Sequence, residues 1–543
     1  MSVKTLAVLN ESELQDGQMK EVQFESGKVL LSRLGDKIHA TSAFCTHYGA
    51  PLVKGVLTAD GRVVCPWHGA CFNVCTGDIE DAPAPEALHL FKAHIANGKI
   101  YVTADAARTT PEKKSRPPTL LTSGGDVGGP GVVIVGGGSA TFHAIESLRE
   151  HGFRGPITVL SKEKHAPIDR TKLSKALITD ASKIEWRTPA DLKIKYNTTL
   201  RTDATVTSID EATKKVILDE KEQIPYETLI LASGGIPRRL PVEGASLENV
   251  FTLRSIQDAQ KIDAACQEGK KLVVIGSSFI SMELVVAVSK RKLESIHVIG
   301  MEEYPFEAVL GKEVGKGLKK FHESQGVILH SSTSVQSIRA SSSAPHLAAE
   351  VILASGEVIL ADVIVMGVGV RPATDYLHAS GWALEQDGSV RVDDHLKVIG
   401  KQNIYAVGDI ATYPQIDGEP RRIEHWNVAG NHGRAVGKTI AGHPQPFVKV
   451  PVFWSAQGQQ LRYCGVGAGY DDIHVKGDPS EMKFIAYYFK GGKAVAVASM
   501  QNDPVVSKAS ELLRLGLMPT PEELKAGKVC SQLFNSLRAC PLN

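Results

Sequence analysis

The sequence has little that would suit a membrane protein, a secreted scaffold or a nucleic-acid binder. No apolar run reaches the roughly 18 residues that a membrane-spanning helix needs. Cysteine is scarce, with 8 in 543 residues, which argues against a secreted disulfide framework. Lys+Arg (61) and Asp+Glu (60) nearly balance, so the formal net charge of +1 argues against binding to nucleic acid by bulk charge. The acidic N-terminus has no apolar signal-peptide core, and we expect a cytoplasmic protein.

The length and the changes of pattern along the chain predict several domains of mainly α/β class. At roughly 100–200 residues per domain, 543 residues correspond to three or four domains. Alternating apolar positions with Gly breaks predict a small all-β domain first, and a stretch rich in Pro, Gly and Ser predicts a linker. Two strand–turn–helix–strand units then predict two Rossmann-like domains, and a C-terminal α+β domain follows. The expected limits are 1–104 (all-β), 105–130 (linker), 131–252 with 372–448 (first nucleotide domain), 253–371 (second nucleotide domain) and 449–543 (C-terminal domain).

Two short loops in the all-β domain each offer one cysteine and one histidine. They read Cys45-x-His47 and Cys65-x-x-His68. A Rieske-type [2Fe–2S] cluster has two thiolates on one iron and two imidazoles on the other, so this pairing predicts such a cluster. A structural zinc site and a cluster of reduced thiols are the alternatives, but zinc motifs usually pair Cys with Cys and His with His.

Two further cysteines, Cys71 and Cys75, lie close to these loops in the sequence. They do not fit the ligand pattern. We expect both to pack as small residues in the β core.

A glycine-rich turn lies between a strand pattern and a helix pattern at the start of the first nucleotide domain. Glycines in this position let the backbone approach a pyrophosphate, which rests on the helix N-terminus. Thr141 replaces the third glycine, and Lys162 stands where an acid usually holds the ribose. An empty Rossmann-like fold is the alternative. The dinucleotide contacts expected here are Gly136, Gly138, Ser139, Ala140 and Glu163.

The second nucleotide unit keeps only the first glycine of its motif. Ser278 and Ser281 replace the other two, and side chains there crowd the approach of a phosphate, so weakened nicotinamide binding is one expectation. No arginine is placed to take a 2′-phosphate, which favours NADH over NADPH. The expected NAD(P)H contacts are Gly276, Ser277, Phe279, Ile280, Glu302 and Gly369.

Residues 1–104 resemble Rieske ferredoxins. The resemblance includes DAPAPEAL (81–88), the strip that covers the cluster in that family. High-potential members carry two extra cysteines that bridge the loops, and Ala50 and Trp67 occupy those positions here. The resemblance therefore implies the low-potential branch without a bridging disulfide.

The rest of the chain resembles the ferredoxin-reductase and apoptosis-inducing-factor families of two-dinucleotide flavoproteins. The segments that carry this resemblance are HAPIDRTKLSK (165–175), YETLILASGG (226–235), MGVGVRP (366–372), NIYAVGDIA (403–411), IEHWNVAGNHGRA (423–435) and PVFWSAQGQQLRYCGVG (from 451). The resemblance implies FAD, and a Lys175–Glu283 pair that tunes the flavin electronically. The further FAD contacts that it implies are Arg170, Lys175, Val206, Ala232, Asp409 and Trp426.

The combined sites predict an NAD(P)H-dependent flavoprotein oxidoreductase. The helix of the flavin domain has no CxxxxC, so we do not expect thiol–disulfide exchange, and the fused cluster becomes the expected acceptor. Electrons would pass from NAD(P)H through FAD to the chain's own [2Fe–2S] cluster and on to an unidentified acceptor, such as a protein. Two alternatives stay open: a redox-sensing, apoptosis-related signalling flavoprotein with slow turnover, and an electron supplier to a partner oxygenase.

Two further expectations concern the arrangement and location of the chain. The linker allows the Rieske domain either to swing between flavin and partner or to dock in one place. The family resemblance also implies mitochondrial association as an alternative to the cytoplasm.

Overall fold

The computed structural model describes residues 3–117, 120, 129–219, 221–528 and 530. It consists of an N-terminal all-β domain, two domains built on parallel sheets and a C-terminal domain built on an antiparallel sheet. This architecture confirms the predicted fold class. Parts of the predicted linker (118–119 and 121–128) and of the predicted C-terminal domain (529 and 531–543) lie outside the described residues.

The N-terminal domain contains two antiparallel sheets. Its strand Lys99–Asp105 alternates buried and less buried positions, as expected for a strand with one face on a core. In spatial order the large sheet is Val3–Asn10, Lys99–Asp105, Leu90–Ala96, Lys37–Ser42, Gly27–Leu34 and Met19–Phe24, and the small sheet is Val56–Leu57, Arg62–Val64, Cys71–Asn73 and Ile79–Asp81. The loop before the small sheet carries Cys45 and His47, and the loop between its second and third strands carries Cys65 and His68.

The first half of the predicted linker packs onto this domain. Asp105 caps a short 3-10 helix at Ala106–Thr109 by accepting from the Ala107 N–H. The strand Ser115–Arg116 then pairs with Ala87–Leu88. The described part of the predicted linker is therefore attached to the all-β domain up to residue 116.

The first nucleotide domain is built on a five-stranded parallel sheet whose apolar strands are covered on both faces. Helix α1 (Ser139–Glu150) follows the first strand and packs along α8 (Trp426–Ile440), where a Cβ on Gly433 would lie 2.1 Å from the Ala140 carbonyl oxygen. Only glycine allows this close helix contact. In spatial order the sheet is Thr198–Arg201, Ile157–Leu160, Val132–Val135, Thr228–Leu231 and Ile404–Ala406.

Three smaller sheets accompany it. The first consists of Val206–Asp210, Lys215–Leu218 and Gln223–Pro225, and the second of Val390–Arg391, Ala411–Pro414 and Pro420–Arg422. The third pairs Gly235–Pro237 with Val370–Pro372.

The second nucleotide domain repeats this plan, and the C-terminal domain closes the molecule. The second parallel sheet runs Val250–Thr252, Val363–Met366, Lys271–Ile275, Ser295–Ile299 and Val327–His330, beside a three-stranded sheet of Val335–Ala340, Ala348–Leu353 and Val358–Leu360. The C-terminal sheet runs Val452–Gln457, Gln459–Gly465, Lys493–Met500, Lys483–Lys490 and Asp472–Asp478. Its residues share one core with the second nucleotide domain, so these two domains are packed as a unit.

The remaining helices connect these sheets. They are α2 (Thr171–Ala176), α3 (Pro189–Ile194), α4 (Ile256–Ala265), α5 (Phe279–Val288), α6 (Glu307–Ser324), α7 (Asp375–Ala379), α9 (Val505–Leu515) and α10 (Pro521–Lys525), with 3-10 turns at Glu11–Glu13, Leu52–Lys54, Pro111–Lys113, Ala181–Lys183, Gly408–Ile410 and Pro479–Glu481. Among the described residues, none of the helices combines the length and the apolar character that crossing a bilayer requires.

Candidate redox site

The four predicted cluster ligands come together at the tip of the N-terminal domain. His47 Nδ1 and His68 Nδ1 face each other at 3.0 Å, and both side chains are buried. Burial lowers the pKa of His47 to about 3, and burial also holds the pKa of His68 well below its ordinary value. Both imidazoles are therefore neutral at neutral pH, as metal ligands must be.

The two cysteines complete the donor set. Cys45 and Cys65 are buried and hydrogen-bonded to each other. Burial raises the pKa of the Cys45 thiol, and the neighbouring Cys65 raises it further. Burial also raises the pKa of Cys65, but the Cys45 hydrogen bond and the N–H groups of Trp67 and His68 bring it below its usual value. Backbone N–H groups that point at both sulfurs suit thiolate ligands of an iron–sulfur cluster.

The spacing of the donors fits two metal ions better than one. The part of the chain that the structure describes contains one group of at least three metal-binding residues with all ligand atoms within 4.8 Å of one another, Asp393, Asp394 and His395 on the surface. No three of the four cluster ligands meet that limit. A single tetrahedral zinc ion, with ligands at about 2.0–2.3 Å, would require closer donors. The residues therefore fit a [2Fe–2S] cluster.

The expectation for the two neighbouring cysteines is only half right. Cys71 is buried in the small sheet, and burial raises its pKa to about 11. Cys75 is exposed and lies 3.6 Å from His39 Nε2. The prediction that Cys75 packs in the core is wrong because the chain leaves the sheet after Asn73, and Cys75 follows in the turn.

The first nucleotide motif forms a cradle around an open space. A Cβ on Gly136, whose φ is +117°, would lie 2.2 Å from the Ala232 carbonyl oxygen, so glycine is required there. A Cβ on Gly138 would meet nothing within 4 Å. Helix α1 begins at Ser139 without a side-chain cap, which leaves its first N–H groups free to bind a phosphate. Thr141, at the third glycine position, donates to the Gly136 carbonyl oxygen at 2.8 Å, which explains how a hydroxyl is accommodated.

Two ion pairs lie around this cradle. Arg170 donates to both oxygens of Glu163, at 2.9 and 2.6 Å. Burial raises the pKa of Glu163, but Arg170 outweighs this effect and holds the pKa below its ordinary value, so the carboxylate stays charged. Asp409 accepts from Arg254 at 2.8 Å. Both predicted FAD-binding carboxylates are thus held in place by arginine side chains.

The remaining predicted FAD contacts are spread over the same domain. Ala232 is buried beside Gly136, and Val206 is half-buried at the start of its strand. The Trp426 carbonyl accepts from Ser139 Oγ at 3.1 Å, while the indole Nε1 is buried without a partner among the described residues. The assignment of these residues to FAD stays a prediction.

A buried histidine supports the Asp409 turn and gives a pH prediction. The Gly408 N–H donates to His432 Nδ1 at 3.1 Å, and burial lowers the pKa of His432 from 6.5 to about 3. A protonated ring cannot accept this bond. Because the folded-state pKa is depressed, the stabilisation is present above pH 6.5 and is lost as the pH falls towards 3. At pH 4.5 the loss is about 2–3 kcal/mol.

We therefore expect His432→Asn, whose amide oxygen takes the position of the ring Nδ1 and accepts from the Gly408 N–H without titrating, to change the pH dependence of unfolding. Relative to the unchanged chain, the drop in the free energy of unfolding between pH 7 and pH 4.5 should shrink by about 2 kcal/mol. Chemical unfolding at the two pH values measures this. An equal drop in both proteins would contradict the prediction.

Glu283 is the meeting point of three domains. Its carboxylate lies 3.0 Å from Lys175 Nζ and accepts from Ser174 Oγ at 2.5 Å, both on α2 of the first nucleotide domain. The other oxygen accepts from Ser455 Oγ at 2.7 Å and from the Ala456 N–H at 3.3 Å, both on the C-terminal sheet. The structure thus brings the predicted Lys175–Glu283 pair together, and it adds a link to Ser455 that no sequence pattern indicates.

The second nucleotide motif resembles the first in shape. Gly276 has a φ of +102°, and a Cβ there would lie 2.4 Å from the Gly367 carbonyl oxygen, to which Ser281 Oγ also donates at 3.4 Å. Ser281 therefore turns towards the sheet and not towards the ligand side. Ile280 is exposed, and Phe279 packs between the rings of Phe306 and Phe453.

The other predicted NAD(P)H contacts surround this turn. A Cβ on Gly300 would lie 2.5 Å from Ser277 Oγ, and a Cβ on Gly369, with φ +90°, would meet nothing within 4 Å. Burial, followed by the nearby Glu307, raises the pKa of Glu302. The role of these residues in NAD(P)H binding stays a prediction.

The cluster ligands lie against the flavoprotein part of the chain. The Trp454 ring lies 4.4 Å from the His68 ring and 5.9 Å from the His47 ring, measured between centroids, and 5.0 Å from His425, the residue before Trp426. Trp186 lies 5.9 Å from His47. Trp186 of the first nucleotide domain and Trp454 of the C-terminal domain therefore cover the two histidine ligands.

Polar contacts hold the N-terminal domain in this position. On α8, Asn427 Nδ2 donates to the Ala82 carbonyl at 2.8 Å, and the Ala82 N–H donates to Asn431 Oδ1 at 2.8 Å. On α9, Ser507 Oγ donates to the Cys65 carbonyl at 3.0 Å. We call the surface formed by Trp186, Trp454, Asn427, Asn431 and Ser507 the Rieske seat. In the structure the domain is docked.

Sequence reasoning missed the seat. Trp454 lies in a segment that the sequence singled out only as the start of the C-terminal domain. Asn427 and Asn431 lie one helical turn apart and directly after the EHW residues, a spacing that puts both on one helix face. That spacing was the available signal, but nothing in the sequence identifies the face they contact.

Comparisons with known proteins agree with this geometry. The chain matches the family models of the pyridine nucleotide-disulphide oxidoreductases (residues 130–433), the Rieske [2Fe-2S] domain (4–92) and the reductase C-terminal domain (452–529). It is 38% identical to apoptosis-inducing factor 3 of Homo sapiens over 94% of this chain and 84% of that protein, and 33% identical to rhodocoxin reductase of Rhodococcus erythropolis over 72% and 91%. The solved covalent putidaredoxin reductase–putidaredoxin complex superimposes with a TM-score of 0.71 at 26% identity, covering 76% of this chain and 99% of that one.

Fold and site together define a flavoprotein oxidoreductase that uses NAD(P)H, with FAD and a Rieske [2Fe–2S] cluster as its redox groups. The chain belongs to the pyridine nucleotide-disulphide oxidoreductase family, is similar within it to apoptosis-inducing factor 3, and carries an N-terminal Rieske domain of its own.

Proposed function

We propose that this protein passes electrons from NAD(P)H through FAD to its own Rieske cluster and from there to an outside acceptor. The contact of the ligand histidines His47 and His68 with Trp454 carries the proposal. It supports a direct internal route, because the tip of the Rieske domain lies against the face that also carries His425 and Trp426.

The cofactor roles follow from the residues around each site. We assign FAD to the cradle of Gly136, Gly138 and Ser139, with Asp409 and Trp426 nearby, and NAD(P)H to the turn at Gly276. When bound, FAD accepts two electrons together as hydride and releases them one at a time, which the one-electron cluster requires.

The chain's own residues prepare the internal route by positioning and by exclusion of water. Trp454 is 4% exposed, and burial in the seat leaves His47 and His68 only 8% and 5% exposed. Glu283, held by Ser174, Lys175 and Ser455, fixes the nicotinamide domain against the strand that carries Trp454. The distance between the histidines and this tryptophan is thereby set by packed and hydrogen-bonded groups.

Single-turnover reduction tests the proposal. We expect NADH to bleach the flavin and then the cluster absorbance in the unchanged chain under anaerobic conditions. In Trp454→Leu the flavin should be reduced at the same rate, while reduction of the cluster slows severalfold because the ring between the two sites is gone. Stopped-flow absorbance separates the two phases.

Two control variants accompany this test. Trp454→Phe keeps a ring and should restore most of the rate. Trp382→Leu removes another buried tryptophan, which lies under Lys401, and should leave both phases unchanged. A cluster that NADH never reduces in the unchanged chain, or an equal rate in Trp454→Leu, would contradict the internal route.

The names of two relatives favour other roles for this protein. One relative is a benzene 1,2-dioxygenase system ferredoxin–NAD(+) reductase subunit, which favours supply to a partner oxygenase. Another is apoptosis-inducing factor 3, which favours a signalling role with slow turnover. Steady-state oxidation of NADH with an artificial one-electron acceptor distinguishes them, because turnover of tens per second supports an enzyme and negligible turnover supports a sensor.

A further inference from the structure

The two histidine ligands are almost fully buried where the Rieske domain docks in the seat. His47 and His68 are 8% and 5% exposed, and Trp454 is 4% exposed. Hydrogen bonds from Asn427 and Ser507 to the backbone of the Rieske domain hold this arrangement. An outside acceptor therefore has no access to either imidazole while the domain is seated.

One ring in contact with a ligand histidine still reaches solvent. Tyr48 stacks on His47 with ring centroids 3.8 Å apart and an interplanar angle of 16°, and it is 38% exposed. Its hydroxyl donates to the buried carboxylate of Asp169 in the first nucleotide domain. The hydrogen bond fixes the ring, so the stack on His47 is part of the docked state.

The charge beside this ring is positive. Lys172 Nζ lies 5.3 Å from the centroid of the Tyr48 ring. Within the described ranges no ion pair is formed by Lys172, and Asp169, the nearest carboxylate to Tyr48, is only 1% exposed. The exposed aromatic ring and the lysine together form a small surface, which we call the Tyr48 surface.

We propose that the Tyr48 surface is the place where an outside one-electron acceptor with an anionic face meets the seated Rieske domain. The proposal rests on the proposed function, since it concerns electrons that the cluster has received. Each encounter oxidises the cluster by one electron and reduces the acceptor by one. Two encounters discharge the electron pair of one NAD(P)H, and its proton goes to the solvent.

The test uses the holoprotein with its cluster reduced by dithionite, so that it does not depend on NADH. Ferricyanide serves as the anionic acceptor and hexaammineruthenium(III) as the cationic one, and the cluster absorbance is followed by stopped flow. We expect Tyr48→Leu to slow oxidation by ferricyanide severalfold, and Tyr48→Phe, which keeps the ring but loses the hydrogen bond to Asp169, to slow it less. We expect Lys172→Glu to slow oxidation of the cluster by ferricyanide about tenfold at low salt. The same variant should speed up oxidation by the ruthenium complex, because charge steers the encounter.

Matched variants control for indirect effects. Tyr101 stacks on His94 elsewhere in the Rieske domain, at 5.3 Å and 11°, so Tyr101→Leu should change neither rate. Lys193 is an exposed lysine on α3, and Lys193→Glu should leave the preference between the two acceptors unchanged.

A second readout does not involve turnover. In the electron paramagnetic resonance spectrum of the reduced cluster, the paramagnetic anion tris(oxalato)chromate(III) should enhance relaxation, and Lys172→Glu should weaken this effect. The proposal would be overturned if ferricyanide oxidised the cluster at equal rates in Tyr48→Leu and in the unchanged chain. It would also be overturned if Lys172→Glu left the relaxation enhancement by the chromate anion unchanged. Failure of the proposed function would show itself differently, as a cluster that dithionite reduces and NADH does not.

Discussion

Replacing Cys65 with serine is expected to remove the iron–sulfur cluster while leaving the flavin in place. Cys65 is 1% exposed in the loop that also supplies His68, and its sulfur accepts the N–H groups of Trp67 and His68. A serine hydroxyl stays protonated at neutral pH and is a poor iron ligand. Iron should fall from about two atoms per chain to near zero, as measured by elemental analysis.

Cys71→Ser is the matched control for this prediction. Cys71 is also buried in the same small domain, but it lies in a strand and contributes no ligand. This variant should retain its iron and its electron paramagnetic resonance signal. If Cys71→Ser loses the cluster and Cys65→Ser keeps it, the ligand assignment is wrong; zinc in place of iron in the unchanged chain would also contradict it.

Replacing Gly138 with valine is expected to exclude FAD from an otherwise folded chain. A Cβ at this position meets no protein atom within 4 Å, and its φ of −97° suits any residue. The side chain would instead fill the space in front of the free N–H groups of α1. Overpacking of this kind costs about 1–3 kcal/mol, so FAD binding should weaken by roughly ten- to a hundredfold. Flavin content after purification and titration with FAD measure the effect.

The second nucleotide motif supplies the control. Ser278 precedes α5 as Gly138 precedes α1, and neither helix has a side-chain cap. Ser278→Val should therefore keep the flavin and weaken NADH binding only. A yellow Gly138→Val protein with normal flavin content would show that the cradle does not hold FAD.

The sequence predicted the parts of the site whose chemistry lies in short contiguous motifs. Cys45 and His47, like Gly136 and Gly138, are separated by one residue, so the local spacing alone indicates a cluster loop and a phosphate turn. Parallel apolar strands followed by glycine turns likewise determine the two nucleotide domains. In these cases the local pattern and the tertiary structure require the same residues.

The parts that it could not predict depend on contacts between distant segments. Tyr48 and Asp169 are 121 residues apart, and Ser507 and Cys65 are 442 residues apart. The sequence around Tyr48 and around Ser507 does not indicate the distant partner, since a tyrosine or a serine is equally suited to many surfaces. The exposure of Cys75 was missed for a similar reason, because the end of a three-residue strand is not visible in the apolar pattern.

The central claim is that the cluster held by Cys45, His47, Cys65 and His68 receives electrons from NADH within one chain. The most direct measurement is an electron paramagnetic resonance spectrum of the holoprotein, frozen after anaerobic addition of NADH at protein concentrations where encounters between chains are slow. We predict the signal of a reduced Rieske cluster, at an intensity that does not change on dilution. A flavin that is reduced while the cluster stays silent, or a signal that appears only at high protein concentration, would contradict the account.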